Sequence, residues 1–257
     1  MYDRRLVTSG CSCTEHCWPT WAKYLGLHFR DHVNVGLSGA DNATIARNAM
    51  SEAREGDVVV VLWSSFARFN TFHNDRKQRV DREGDRHVVH LSGMNISRDR
   101  TETAETGGWH HSGLIVENKS FLVDSYHAIE RFRASLDYVK MLEMHSKLNR
   151  YQLWNFTMSD WLLGGLERQI DPRIKNMQER ARLDHFYLDQ NLMQFREDTL
   201  PITVQLPYGT DSHPTPWVHW SWLVEHVAPE MGIELDPLIG EIAQKDQEDL
   251  LAGRLVT

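Results

Sequence analysis

Basic residues are in short supply in this chain. Its 257 residues include 28 Lys and Arg against 36 Asp and Glu, for a formal net charge of -8 and a pI near 5.9. A surface with that balance exerts no broad pull on phosphate backbones or anionic lipids, so nothing in the composition asks for a nucleic-acid or membrane partner. Long apolar runs are also missing: no stretch approaches the roughly 18 to 20 apolar residues that span a bilayer. The opening Met1-Tyr2-Asp3-Arg4-Arg5-Leu6-Val7 lacks the apolar segment and small-residue cleavage site of a secretory signal. The expected location is therefore the cytoplasm. Cysteine is scarce as well. All three, Cys11, Cys13 and Cys17, fall within seven positions, unlike a disulfide framework spread over a secreted fold.

The length is enough to bury a substantial core in one domain covering 1–257. Residues 4–9 read as a short strand ending at Gly10. A helix follows Pro19, and a second strand covers 32–37. Asp41 or Asn42 then caps a helix that runs to about Arg54, where Gly56 is placed to stop it. The run at 57–63, DVVVVLW, has the unbroken β-branched character of a parallel strand buried on both faces. This β-α-β-α-β alternation predicts an α/β fold: a three-layer, doubly wound (flavodoxin-like), mostly parallel sheet of about five strands with helices on both faces. Residues 64–117 read as an insertion of long loops with short helices. A long helix is expected over 121–149, a fourth strand over 151–156 and a charged helical flank over about 172–200. A fifth strand is expected over 201–206, and closing helices over 216–227 and 237–251.

In open α/β sheets ligands bind beyond the carboxyl ends of the strands, and three polar segments merit attention. Ser9-Gly10-Cys11-Ser12 follows the first strand. A serine on a tight, glycine-supported turn presents its hydroxyl and its backbone N–H to one small volume, as a nucleophile requires, although a lone serine more often just fills a turn. Ser38-Gly39-Ala40-Asp41-Asn42 follows the second strand, where Gly39 lets a backbone N–H approach a developing oxyanion; a turn needing glycine for its dihedral angles is the plainer alternative. Far along the chain, Asp211-Ser212-His213-Pro214 supplies an imidazole and a carboxylate able to orient it.

The order and spacing of these segments resemble the SGNH hydrolase superfamily, the GDSL-like esterases and lipases. Leu6-Val7-Thr8-Ser9-Gly10-Cys11-Ser12 is similar to the family's strand followed by Gly-Asp-Ser, with Cys11 replacing the acidic residue. Asn34-Val35-Gly36-Leu37-Ser38-Gly39 is similar to its second block, and Asp211-Ser212-His213-Pro214 to its last, with an Asp-to-His spacing one residue shorter than the commonest form. The third block departs: where the family has Gly-x-Asn-Asp, this chain has Trp63-Ser64-Ser65-Phe66-Ala67-Arg68, which puts Ser65 at the oxyanion asparagine position. The resemblance implies Ser12 as nucleophile, His213 as general base and Asp211 as its orienting carboxylate. It also implies an oxyanion hole from Ser12, Gly39 and Ser65, with Arg68 and Asn42 as candidate substrate contacts. The implied activity is hydrolysis of small acyl esters, with O-acetyl groups on carbohydrate as one substrate class, and no cofactor. Acyl transfer to sugar, and a non-catalytic glycan-binding module on the same fold, are the alternatives.

Cys11-x-Cys13-x-x-His16-Cys17 has metal-ligand residue types, but structural zinc sites usually draw ligand pairs from separated segments. Packing of Cys11 behind Ser12, and of Cys13 and Cys17 around the first helix, is the expectation. Trp109-His110-His111 reads as a solvated turn, Asp171-Pro172 as a turn, and Trp217, Trp220 and Trp222 mainly as helix packing.

Overall fold

A computed structural model describes residues 1–66, 68–73, 79–82, 85–88, 108–114, 128–158, 186–187, 191–200, 202–206 and 209–254. The chain begins with β1 (Tyr2–Gly10), α1 (Trp21–Gly26), β2 (Phe29–Asn34), α2 (Asn42–Glu52) and β3 (Val58–Trp63). All six residues of β3 are buried, as a central strand covered on both faces requires. Four short strands follow: β4 (Arg68–His73), β5 (Arg79–Arg82), β6 (Asp85–Val88) and β7 (Gly108–Leu114). Next come α3 (Ala128–Asn149), β8 (Gln152–Thr157), β9 (Phe186–Tyr187), α4 (Leu192–Thr199), β10 (Val204–Leu206) and β11 (Gly209–Asp211). The chain closes with α5 (Pro216–Trp222), a π-helical turn (Leu223–Val227), α6 (Ala228–Met231) and α7 (Pro237–Leu251).

The main sheet has the order β2-β1-β3-β8-β9, and every neighbouring pair in it is parallel. This is the doubly wound α/β arrangement expected. One helical layer is built from α2, which packs on β1, β3 and α3; the other has α1 on β2 and α5, and α5 against α7. The direction of winding reverses between β1 and β3, so their carboxyl ends diverge into a crevice. Gly10 of β1 is in register with Leu62 of β3. Ser12 and Ser64 thus leave the sheet side by side, each two residues past that pair.

Several elements differ from expectation. The second strand begins at Phe29 rather than at 32, because β2 lies at the sheet edge and tolerates exposed Arg30 and Asp31. The ladder nevertheless runs on beyond it, with the Val35 and Leu37 N–H groups donating to the Thr8 and Gly10 carbonyls at 2.8 and 3.0 Å. The segment 64–117 is not only loops: β4 pairs antiparallel with β7, and β5 with β6. Trp109, His110 and His111 accordingly belong to β7 rather than to a turn. The fifth sheet strand is Phe186–Tyr187, inside the stretch expected to be helical, while Val204–Leu206 pairs with Gly209–Asp211 instead. Of the expected flank, α4 is helical; Asp171-Pro172 and the start of the long helix, 121–127, lie outside the described residues.

Gly10 is required by close packing. A Cβ there would sit 2.0 Å from Thr14 Oγ1 and 3.0 Å from the Leu62 carbonyl oxygen. We expect Gly10→Ala to push the Ser12 turn off the sheet and to destabilise the protein by about 1–3 kcal/mol, the usual scale for overpacking. Urea denaturation checks this, and an unchanged midpoint would contradict it.

Candidate active site

Two distant segments meet at the crevice. The first is the turn after β1, where the Thr14 and Glu15 N–H groups both donate to the Cys11 carbonyl, at 2.8 and 3.1 Å. Thr20 Oγ1 and Asn34 Nδ2 donate to the Thr14 carbonyl at 2.7 and 3.0 Å. Cys11 and Cys13 point into the core and are essentially inaccessible, and the Cys11 thiol meets Met158 Sδ at 3.2 Å. Cys17 packs beside Trp18, Val204 and Leu250. Cys11 and Cys13 thus pack in the core as expected, whereas Cys17 joins the separate cluster with Val204 and Leu250, and Ser12 is left at the mouth of the turn, 4% exposed.

The second segment is delivered by β11. Asp211 ends that strand, and its Oδ1 accepts the backbone N–H of His213 at 2.8 Å. This is an Asx-type turn, in which an aspartate bonds its own chain two residues on, and it explains why the short Asp-x-His spacing suffices. The same Oδ1 lies 2.6 Å from His213 Nδ1, and His213 Nε2 lies 2.7 Å from Ser12 Oγ. Pro214 is buried, its carbonyl accepts Trp18 Nε1–H at 2.9 Å, and α5 starts with Pro216 at its first position. The loop carrying His213 is therefore fastened to the turn carrying Ser12.

The protonation pattern follows from donor and acceptor capacity. Burial alone raises the Asp211 pKa, but hydrogen bonding from His16 and His213 and the His213 charge outweigh it and hold the carboxyl well below the ordinary carboxylate range. An ionised carboxylate only accepts. In its neutral form His213 therefore carries its one proton on Nδ1 and offers a bare Nε2 to the Ser12 hydroxyl.

The other candidate residues are distributed around this centre. Leu37, Ser38, Gly39 and Ala40 form a tight turn closed by Ala40 N–H to the Leu37 carbonyl at 2.9 Å, with Gly39 at φ 77°. That is the third position of a type II turn, where glycine is favoured. The Leu37–Gly10 ladder bond holds this turn beside the Ser12 turn. Ser65 is buried after β3. Asn42 is not available as a substrate contact: it is buried, its Oδ1 accepts Ser64 N–H at 2.9 Å, and its Nδ2 donates to the Ser64 carbonyl and to Ser135 Oγ. It clamps the exit of β3 instead. Arg68 opens β4, and its side chain lies outside the described residues.

Two histidines near the centre escape sequence reasoning. The His16 ring stacks on His213 with centroids 4.3 Å apart and planes at 29°, and its Nε2 lies 3.3 Å from Asp211 Oδ2. Its sequence context offers only metal-ligand residue types beside the three cysteines, with no link to Asp211. His219 is buried on α5. Burial, then the charges of His16 and His213, push its pKa well below the usual imidazole value. His16, Asp211 and His213 bring ligand-type atoms within 4.8 Å of one another. Stacked rings, however, send their in-plane lone pairs side by side, a poor arrangement for converging on one ion.

Acid sensitivity follows from these burials. His219, His28 and His32 all have pKa values lowered chiefly by burial from an ordinary value of 6.5. The unfolded chain takes up their protons first, so stability is full above that value and declines as pH falls below it. Asp211 adds a second loss, beginning as pH falls below its ordinary 3.8. We expect the thermal midpoint to drop between pH 7.5 and 5.5, and His219→Leu to flatten part of the drop; a level profile over that range would refute the assignment.

No family model matches the chain, and no curated protein matches it. Among solved structures, the crystal structure of YxiM from Bacillus subtilis is similar at 10% identity with a TM-score of 0.36, covering 99% of this chain. The chain spans 57% of the length of that protein's chain. At this distance the site geometry, rather than the neighbour, has to carry the functional reading.

Proposed function

We propose that this chain is a serine ester hydrolase of the SGNH type, cleaving small acyl esters through an acyl-enzyme on Ser12. The observation that carries the reading is the 2.7 Å contact between Ser12 Oγ and His213 Nε2, made by residues 201 positions apart, with Asp211 on the far nitrogen of the same ring. Ser12 Oγ attacks the ester carbonyl as His213 Nε2 takes its proton. The imidazolium formed is stabilised by Asp211 and returns the proton to the departing alcohol oxygen as the tetrahedral intermediate collapses. Water then adds to the acyl carbonyl with His213 again as base, releasing the carboxylic acid and restoring Ser12.

The oxyanion is held by the Ser12 and Gly39 N–H groups, with Ser65 as third donor in place of the asparagine usual in that family. Support comes from the glycine-permitted turn at Gly39 and from the register that sends β1 and β3 out together. The substrate class is a small acyl ester, with O-acetylated carbohydrate as the specific candidate.

The test is a panel of p-nitrophenyl esters of increasing chain length together with acetylated sugars, with intact-mass measurement on early quenched samples. The reading expects acetyl and propionyl esters to turn over fastest, and an acyl adduct to form and decay. Saturable binding of the sugars with no ester cleaved would replace it with a glycan-binding module.

A further inference from the structure

We infer that His16 is a positioning residue for the triad, a second imidazole that locks Asp211 and His213 in their working orientation. The inference rests on the serine-hydrolase reading and adds to it a residue with no assigned role. The Asp211 carboxylate is restrained at one oxygen only by its own loop: Oδ1 takes both the backbone N–H and Nδ1 of His213. Rotation about the last side-chain bond would carry Oδ2 away and tilt the carboxylate out of the imidazole plane. His16 Nε2 stands 3.3 Å from Oδ2, at ion-pair distance although not aligned as a hydrogen bond, and opposes that rotation.

The same ring restrains His213. With centroids 4.3 Å apart and an angle of 29°, His16 covers one face of the imidazole and blocks it from swinging away from Ser12. His16 is itself fixed. Trp18 meets it at 4.1 Å and 88°, and Trp18 is anchored to the Pro214 carbonyl, one residue after His213. The imidazole therefore lies between an aromatic edge and the triad, with its side chain 11% exposed.

The role through Oδ2 and the role as a flat packing body are separable by substitution. His16→Gln keeps an N–H donor at about the reach of Nε2 and loses the ring. His16→Phe keeps the ring and loses the donor, and His16→Ala loses both. Steady-state kinetics on a short p-nitrophenyl ester, with kcat referred to the concentration of chain that a fluorophosphonate labels, restricts the comparison to folded protein. We expect His16→Phe and His16→Ala to lose about 10- to 100-fold in kcat, the scale of a small misplacement of a catalytic group, with KM little changed. His16→Gln should recover most of that loss.

Full activity in His16→Phe, or no recovery in His16→Gln, would overturn the positioning role. Ser12→Ala run alongside separates the two levels. If it is inactive while His16→Phe is fully active, only the role of His16 falls. If it retains turnover, the hydrolase reading fails and this inference with it.

Discussion

Ser12→Ala is expected to lower kcat/KM for a short p-nitrophenyl ester by about 10⁴-fold or more, the scale seen when a triad nucleophile is removed. The substitution deletes the oxygen that lies 2.7 Å from His213 Nε2, the proposed nucleophile, and puts no nucleophile in its place. Stability should hardly move. Ser12 is almost fully buried and alanine fits the space, while the released His213 Nε2 belongs to a side chain that still reaches solvent. The pattern to measure is therefore a collapse in turnover at an unchanged denaturation midpoint. Retention of even a tenth of wild-type turnover would remove Ser12 from the mechanism.

Asp211→Asn is expected to cost about 10⁴-fold in kcat near neutral pH, because it removes the negative charge that balances the imidazolium. The carboxylate Oδ1 accepts from two donors of His213, the backbone N–H at 2.8 Å and Nδ1 at 2.6 Å. An asparagine can meet the backbone N–H only with its carbonyl oxygen and has no charge to balance an imidazolium. That same oxygen then still accepts from Nδ1, so the tautomer is kept while the charge that would balance the imidazolium is lost, and the amide nitrogen takes the Oδ2 position facing His16. His16 loses its carboxylate neighbour at Oδ2 in the same change. A loss smaller than about tenfold would mean that the Asp211 charge has no part in the reaction.

How much of this was legible in the sequence depends on how local each determinant is. β3 could be read directly, since an unbroken Val-Val-Val-Val-Leu-Trp run has few homes other than a central strand. The turn at Ser12, the glycine turn at Gly39 and the Asp-x-His loop were visible because each uses short-range chemistry: glycine where the chain is tight, aspartate bonding two residues ahead. β2 was displaced because an edge strand carries Arg30 and Asp31 without penalty, and the apolar alternation of Val33, Val35 and Leu37 pulls the reading toward its end. β9 escaped because two residues, Phe186 and Tyr187, pair with β8 inside a charged stretch.

Asn42 was misread for a related reason. A polar residue at a helix start looks available, and only its pairing with Ser64 across 22 positions shows it spent on structure. His16 stood out only as a neighbour of the cysteines, because its place beside Asp211 is a contact that no local pattern encodes.

The central claim is that the Ser12 hydroxyl, of all those in the chain, is the activated one. Its most direct test is reaction with a fluorophosphonate followed by peptide mapping. The account predicts one adduct per chain, located on Ser12 and abolished in His213→Ala. An adduct on another residue, no adduct in folded wild-type protein, or labelling that persists without His213 would contradict it.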